Sequence, residues 1–183
     1  MSSKISIVKI LTDHKKTLVD QNTEKPGGED LFYFLILPVI VPILLIWLFG
    51  FDFEESSDLK KTLVSSLAIF VGLLFNALVL LINIAKNEES KNVKHVVIKE
   101  LIANISFSII IAFISVILIL TRYWQIPMIF EVDLLPTTGQ IIDFFALCFL
   151  TSFFFTFLMI IKRTYLIINI NFEKEKNTTD KNG

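Results

Sequence analysis

Four long apolar runs, at 31–50, 62–85, 101–121 and 141–161, alternate along the chain with short blocks that hold nearly all of its charge. A membrane helix needs roughly 17–25 apolar residues, because about 1.5 Å of rise per residue must cover a hydrocarbon core of about 30 Å. All four runs meet that length. The pattern therefore predicts an all-α membrane protein with four transmembrane helices and no further folded domain between them. The first run, LFYFLILPVIVPILLIWLFG, carries no charge but contains Pro38 and Pro42. Prolines within a membrane helix usually kink it, and the kink can serve packing or act as a gating hinge. After Lys162 and Arg163 the apolar pattern resumes as TYLIINI. The fourth helix is thus expected to run on toward Asn171, followed by a disordered polar tail, EKEKNTTDKNG. The organisation expected is a polar segment at 1–30, a four-helix domain at 31–163, and a helix extension with its tail at 164–183.

The polar first segment lacks the unbroken apolar stretch of about 7–15 residues that a cleavable signal needs, so the first spanning run is expected to direct insertion. Residues 3–20 instead read as one amphipathic helix. Ile7, Leu11 and Leu18 share a face with Ile10 beside them, and Lys9, Asp13 and Lys16 lie opposite. Such a helix can rest on the inner leaflet, its lysines facing anionic lipid, or dock on a cytoplasmic partner. Lys25-Pro26-Gly27-Gly28 ends the pattern before the first run.

Charge supplies the orientation. Of the 17 lysines and arginines, only Lys60, Lys61 and Arg122 fall on one side of the four crossings. All the others lie in the first segment, the 86–100 connection or the tail. Basic residues in short loops mark the cytoplasmic side, so both termini are expected in the cytoplasm, with the protein in a bacterial inner membrane. The acidic loops FDFEESSD and FEVDLL then face outward. Asn177-Thr178-Thr179 matches a glycosylation acceptor in form only, since the tail falls on the inner side.

Composition narrows the chemistry. Hydrophobic residues make up 54% of the chain and charged ones 19%, against about 25% charged in soluble domains. Seventeen basic residues against 18 acidic ones argue against direct nucleic-acid binding. The lone Cys148 and the two separated histidines, His14 and His95, form no metal-ligand set. No phosphate loop, metalloprotease helix or serine elbow is present, so neither an enzyme nor a cofactor is expected.

Polar residues within the runs are then the candidate functional positions, because lipid offers them no partners. Ser65, Gly72, Asn76 and Asn83 lie within about 20° of one line on the second helix, opposite Leu63, Leu67, Phe70, Leu74, Leu78 and Leu81. That stripe reads either as an oligomer seam or as one wall of a pore. Asn104, Ser108 and Ser115 form a stripe on the third helix, with Ala112 beside it. Cys148, Ser152 and Thr156 step by four along the fourth helix, and both sets suit helix packing. Asp143 stands within a turn of the outer end of the fourth helix, where an interfacial, hydrated or helix-N-terminal role is expected rather than a proton relay. The absence of mid-membrane carboxylates or histidines disfavours an ion-coupled transporter. Tyr123 and Trp124 fit an interfacial aromatic belt, and the rest of the loop to Gln140 is apolar enough to lie along the outer surface.

With the run SLAIFVGLLFNALVLLINIAKN at 66–87 as its most suggestive segment, the architecture of 31–161 resembles the small four-helix membrane proteins of bacterial antiphage defence loci. The KwaA-type membrane subunit of the Kiwa system is an example of the family it resembles. The resemblance implies an oligomeric membrane sensor or anchor that recruits a cytoplasmic protein partner. Lys9, Lys16, Lys91, Lys94 and Lys99 are the surface available for that partner or for membrane lipid. The alternatives are a pore-forming effector that depolarises the cell and a small channel or transporter.

Overall fold

A computed structural model describes residues 7–17, 32, 36–50, 57–87, 93–123 and 135–179. At 16, 57, 87, 93–95, 123, 135–138, 166–167 and 169–179 that description covers the backbone only. The described residues form five α-helices: α1 (Ile7–Thr17), α2 (Leu37–Phe49), α3 (Ser57–Asn87), α4 (Val93–Tyr123) and α5 (Leu135–Thr179). Three of them contain stretches long and apolar enough to cross a membrane, at Asp58–Lys86, Val96–Arg122 and Gly139–Tyr165.

The helices outgrow the apolar runs because they continue into polar flanks. Helix α4 begins eight residues before the expected Leu101, and α5 begins six before Ile141, with Pro136 in its first turn. Proline is favoured there because its missing N–H has no intrahelical acceptor to serve. At its far end α5 continues past Asn171 to Thr179, where the sequence suggests a disordered tail. Extending an existing helix adds a hydrogen bond per residue without a new nucleation step, and glutamate and lysine are good helix formers.

The first apolar run behaves differently. It is described as continuous α-helix over 13 residues only, Leu37–Phe49, or about 20 Å of rise. Residues 31 and 33–35 of that run lie outside the described residues, as does 124–134 of the outer loop. Gly50 closes α2 with φ 60°, its N–H donating to the Leu45 carbonyl, a left-handed cap that glycine adopts without a Cβ clash. Pro38 and Pro42 are both buried, one turn apart on the same face. That face meets α5, while Trp47, Leu48 and Phe49 are exposed. The prolines therefore sit at a packing surface.

Side by side the order is α2, α5, α4, α3, with α1 laid against α4. Helices α4 and α5 form the centre, contributing Leu101, Ile105, Ala112, Ala146, Leu150 and Phe153 to a continuous core. Helix α3 brings Leu67 and Leu74, and its Phe70 reaches α5 at 6.0 Å from Phe153 and 5.3 Å from Phe157, centroid to centroid. Only 11% of the spanning window of α3 is buried, against 44% for α4. Helix α3 stands at one edge of the row, opposite α2.

Candidate functional site

Two polar surfaces emerge, with opposite relations to the protein interior. The α3 stripe points out: Ser65, Gly72, Asn76 and Asn83 are all exposed, and a methyl group added at Gly72 would meet nothing within 4 Å. The opposite face packs inward through Leu67 and Leu74, with Leu63, Phe70, Leu78 and Leu81 against the core. Periodicity of about 3.6 residues separates the two faces of one helix. The outward face is thus small and polar where neighbouring exposed positions are Ile69, Leu73, Val79 and Leu80.

The α4 stripe points in. Asn104, Ser108 and Ser115 are fully buried together with Ala112. Their small volumes let neighbouring helices approach, yet their polar atoms are not interhelical glue throughout. Ser115 Oγ donates to its own helix at the Ile111 carbonyl, 3.0 Å away. On α5, Thr156 is buried and turns its hydroxyl back to the Ser152 carbonyl at 2.8 Å, while Cys148 and Ser152 are half-buried. Two buried groups, Asn104 Nδ2 and Ser108 Oγ, have no hydrogen-bond partner among the described residues.

Asn104 instead holds α1. His14 Nδ1 donates to Asn104 Oδ1 at 2.9 Å, and the imidazole stacks on Phe107 with centroids 3.7 Å apart. The Thr17 hydroxyl lies 2.8 Å from the same Asn104 oxygen and 2.7 Å from the His14 carbonyl, one proton shared between two acceptors. Arg163 of α5 completes the junction: it ion-pairs with Glu100 of α4, and its Nη2 donates to the Thr17 carbonyl at 2.8 Å. That carbonyl belongs to the last turn of α1, where intrahelical donors run out and a guanidinium is a favourable cap. Burial pushes the His14 pKa down to about 4, with the Asn104 hydrogen bond opposing and the Arg163 charge adding to the fall. The ring is thus neutral at pH 7.

This junction sets the orientation of α1 on the bundle. Its apolar face is not the docking face: Ile7, Val8 and Leu11 are exposed, and Ile10, Asp13, His14 and Thr17 turn inward. Leu18 lies outside the described residues. The inward face was not legible in the apolar pattern because the partners of His14 and Thr17 stand at the foot of α4, far away in sequence. Of the expected lysine surface, Lys9 and Lys99 are exposed; Lys91 lies outside the described residues, and Lys16 and Lys94 are described in backbone only.

At the opposite end of the row, Arg122 Nε donates to Asp143 Oδ1 at 2.9 Å, and Asp143 is 1% exposed. The expected hydration of Asp143 is replaced by a buried ion pair. Gly139 makes room for it, since a Cβ there would stand 2.6 Å from Arg122 Nη1. The stepped set at 104, 108 and 115 and the small residues of α5 were legible from spacing, whereas His14, Thr17, Glu100, Arg122 and Arg163 were not singled out. A basic residue just beyond each apolar run was the available signal for the two arginines.

Among the described residues, no group of three or more histidine, cysteine, aspartate or glutamate side chains is arranged to hold a metal ion. No family model, curated protein or solved structure matches the chain.

Proposed function

We propose that the chain is a homo-oligomeric membrane anchor or sensor subunit whose copies meet along the outward stripe of α3. The observation that carries this reading is the exposure of Asn76 and Asn83 on a helix apolar enough to cross a membrane. A carboxamide in lipid lacks partners, and each one offers both donors and an acceptor. Two copies related by a two-fold axis therefore satisfy each other with the same residues, and Ser65 and Gly72 permit close backbone approach. In this reading the run at 31–50 makes a fourth crossing, and the lysine distribution puts both termini in the cytoplasm of a bacterial inner membrane. The resemblance to four-helix antiphage defence proteins adds the context. The chain recruits a cytoplasmic protein partner at its lysine-bearing end, and the membrane domain registers envelope perturbation.

The test is cross-linking and single-molecule subunit counting of the full chain in lipid bilayers, for wild type and N76L/N83L. Wild type should assemble and the variant should fall to monomers of unchanged helicity. A strictly monomeric wild type overturns the proposal. If liposomes instead conduct ions, and the variant loses conduction while staying assembled, the stripe lines a conduit and the seam reading fails.

A further inference from the structure

Helix α1 is seated on the membrane side of a charged boundary. The Glu100–Arg163 pair lies near one end of both spanning stretches, Val96–Arg122 and Gly139–Tyr165, and so marks one edge of the apolar layer. On α4, Asn104 and Phe107 lie about 6 Å and 10 Å further toward the centre of the span. His14 is hydrogen-bonded to the first and stacked on the second.

The faces of α1 divide in a way that fits this level. At roughly 100° per residue, Asp13, Thr17, Ile10 and His14 occupy one arc in that order, and they are the residues turned to the bundle. Beyond the His14 edge come Ile7, Leu11 and Val8, which are 49%, 44% and 73% exposed. Beyond the Asp13 edge come Lys9 and Thr12, also exposed. The Asp13 edge borders a groove whose α4 wall runs from Val96 to Ser106, while the His14 edge reaches Phe107, deeper still. Lying across α4 with its His14 edge toward the span, α1 turns Ile7 and Leu11 to the interior of the leaflet and Lys9 to the water. Lys15 falls within the apolar arc, and its flexible stem lets the ammonium return to headgroup level.

We propose that α1 is an in-plane interfacial helix whose Ile7, Val8 and Leu11 are covered by acyl chains of the leaflet at the α1 end. The occupant of this face is lipid and not protein, because the seat on Asn104 and Phe107 holds it at the depth where acyl chains begin. An amphipathic helix at that level sinks its apolar side about 5–10 Å into the boundary between headgroups and chains. The attachment draws on apolar contact and requires no anionic lipid. It depends on α4 spanning a membrane and not on assembly through α3.

Nitroxide depth measurement tests this on the full chain, alone in phosphatidylcholine vesicles, with C148A as the background. Single cysteines I7C, L11C and T12C carry the label, each at an exposed site. Collision with oxygen, which partitions into the acyl layer, is compared with collision with a water-soluble nickel chelate. Labels at 7 and 11 should sit about 5–10 Å inside the headgroup boundary, and the label at 12 should stay outside it. Aqueous readings at all three positions would leave the apolar arc to a protein partner, and equal depths at 11 and 12 would deny α1 a lipid side; either overturns the proposal. Line broadening at 11 that disappears on dilution with unlabelled chains would put a second copy on this face, and overturns it too. The depths should persist in N76L/N83L whatever becomes of assembly, which separates failure here from failure of the α3 seam.

Discussion

Arg122 and Asp143 join the last turn of α4 to the third turn of α5 through a 2.9 Å ion pair, and Glu100 and Arg163 repeat the arrangement at the other end. The stretch from 100 to 122 rises about 33 Å and that from 143 to 163 about 30 Å, close to the thickness of a hydrocarbon core. The two central helices are therefore clamped by ion pairs spaced one bilayer apart. Each pair keeps its charges at the edges of the apolar layer, where they cost less than at its centre.

Breaking the Arg122–Asp143 pair from one side should destabilise more than removing both partners. Asp143 has 2% side-chain exposure and Arg122 15%, so R122M or D143L removes the opposite charge from a group in a desolvated site. Each single variant should lose about 3–5 kcal/mol, and R122M/D143L should recover most of it. Denaturant titration of the four proteins in mixed micelles gives the coupling energy. Additive losses would mean that the two groups do not sense each other.

The parts of this architecture that follow helical periodicity were legible in the sequence. The stripe at 65, 72, 76 and 83 and the leucine face behind it lie on the sides that spacing assigns, since one helix suffices to define both. The seating of α1 was not legible. His14 and Asn104 are 90 positions apart, and Arg163 reaches Thr17 across 146, so local pattern could not choose between the Ile7–Leu11 face and the His14 face. Asp143 and Arg122 are only 21 apart, but they meet because α4 and α5 pack antiparallel, and apolar spacing carries no register for that packing.

Ser108 offers a test in the stabilising direction. Its hydroxyl is fully buried without a partner among the described residues, so it is desolvated with no compensating bond there. S108A should stabilise the protein by about 1 kcal/mol. N104L should do the reverse, because it strips the acceptor from His14 and Thr17, and α1 should become protease-sensitive. Thermal unfolding of both variants decides the matter. A loss on S108A would reveal a partner for that hydroxyl.

Docking of α1 should weaken in acid. The His14 pKa is about 4 when docked and near 6.5 when α1 is released, so the released state binds more protons between these values. Stability of the docked state is fully present above about 6.5, falls as pH drops toward 4, and then levels off. The total change is on the order of 3 kcal/mol. Amide hydrogen exchange of α1, corrected for intrinsic rates, should show that slope in wild type and lose it in H14F, which keeps a ring on Phe107. A slope that persists in H14F would assign the titration to another group.

Leu74 and Asn76 stand two residues apart on α3, one 4% exposed against the core and the other facing outward. Substitutions there should separate folding from assembly. L74A removes packing against the α4–α5 core and should lower protomer stability by on the order of 2 kcal/mol, since a cavity opened in a packed interior closes only partly by relaxation. Association should survive if enough folded protomer remains. N76L adds apolar surface beside the exposed Ile69, Leu73 and Leu80, so it should leave protomer stability unchanged and weaken association. Unfolding of dilute protein in micelles reads the first quantity, and energy transfer between labelled copies in liposomes reads the second. If N76L destabilised the isolated protomer as much as L74A, the stripe would be an internal contact and not a meeting surface for a second copy.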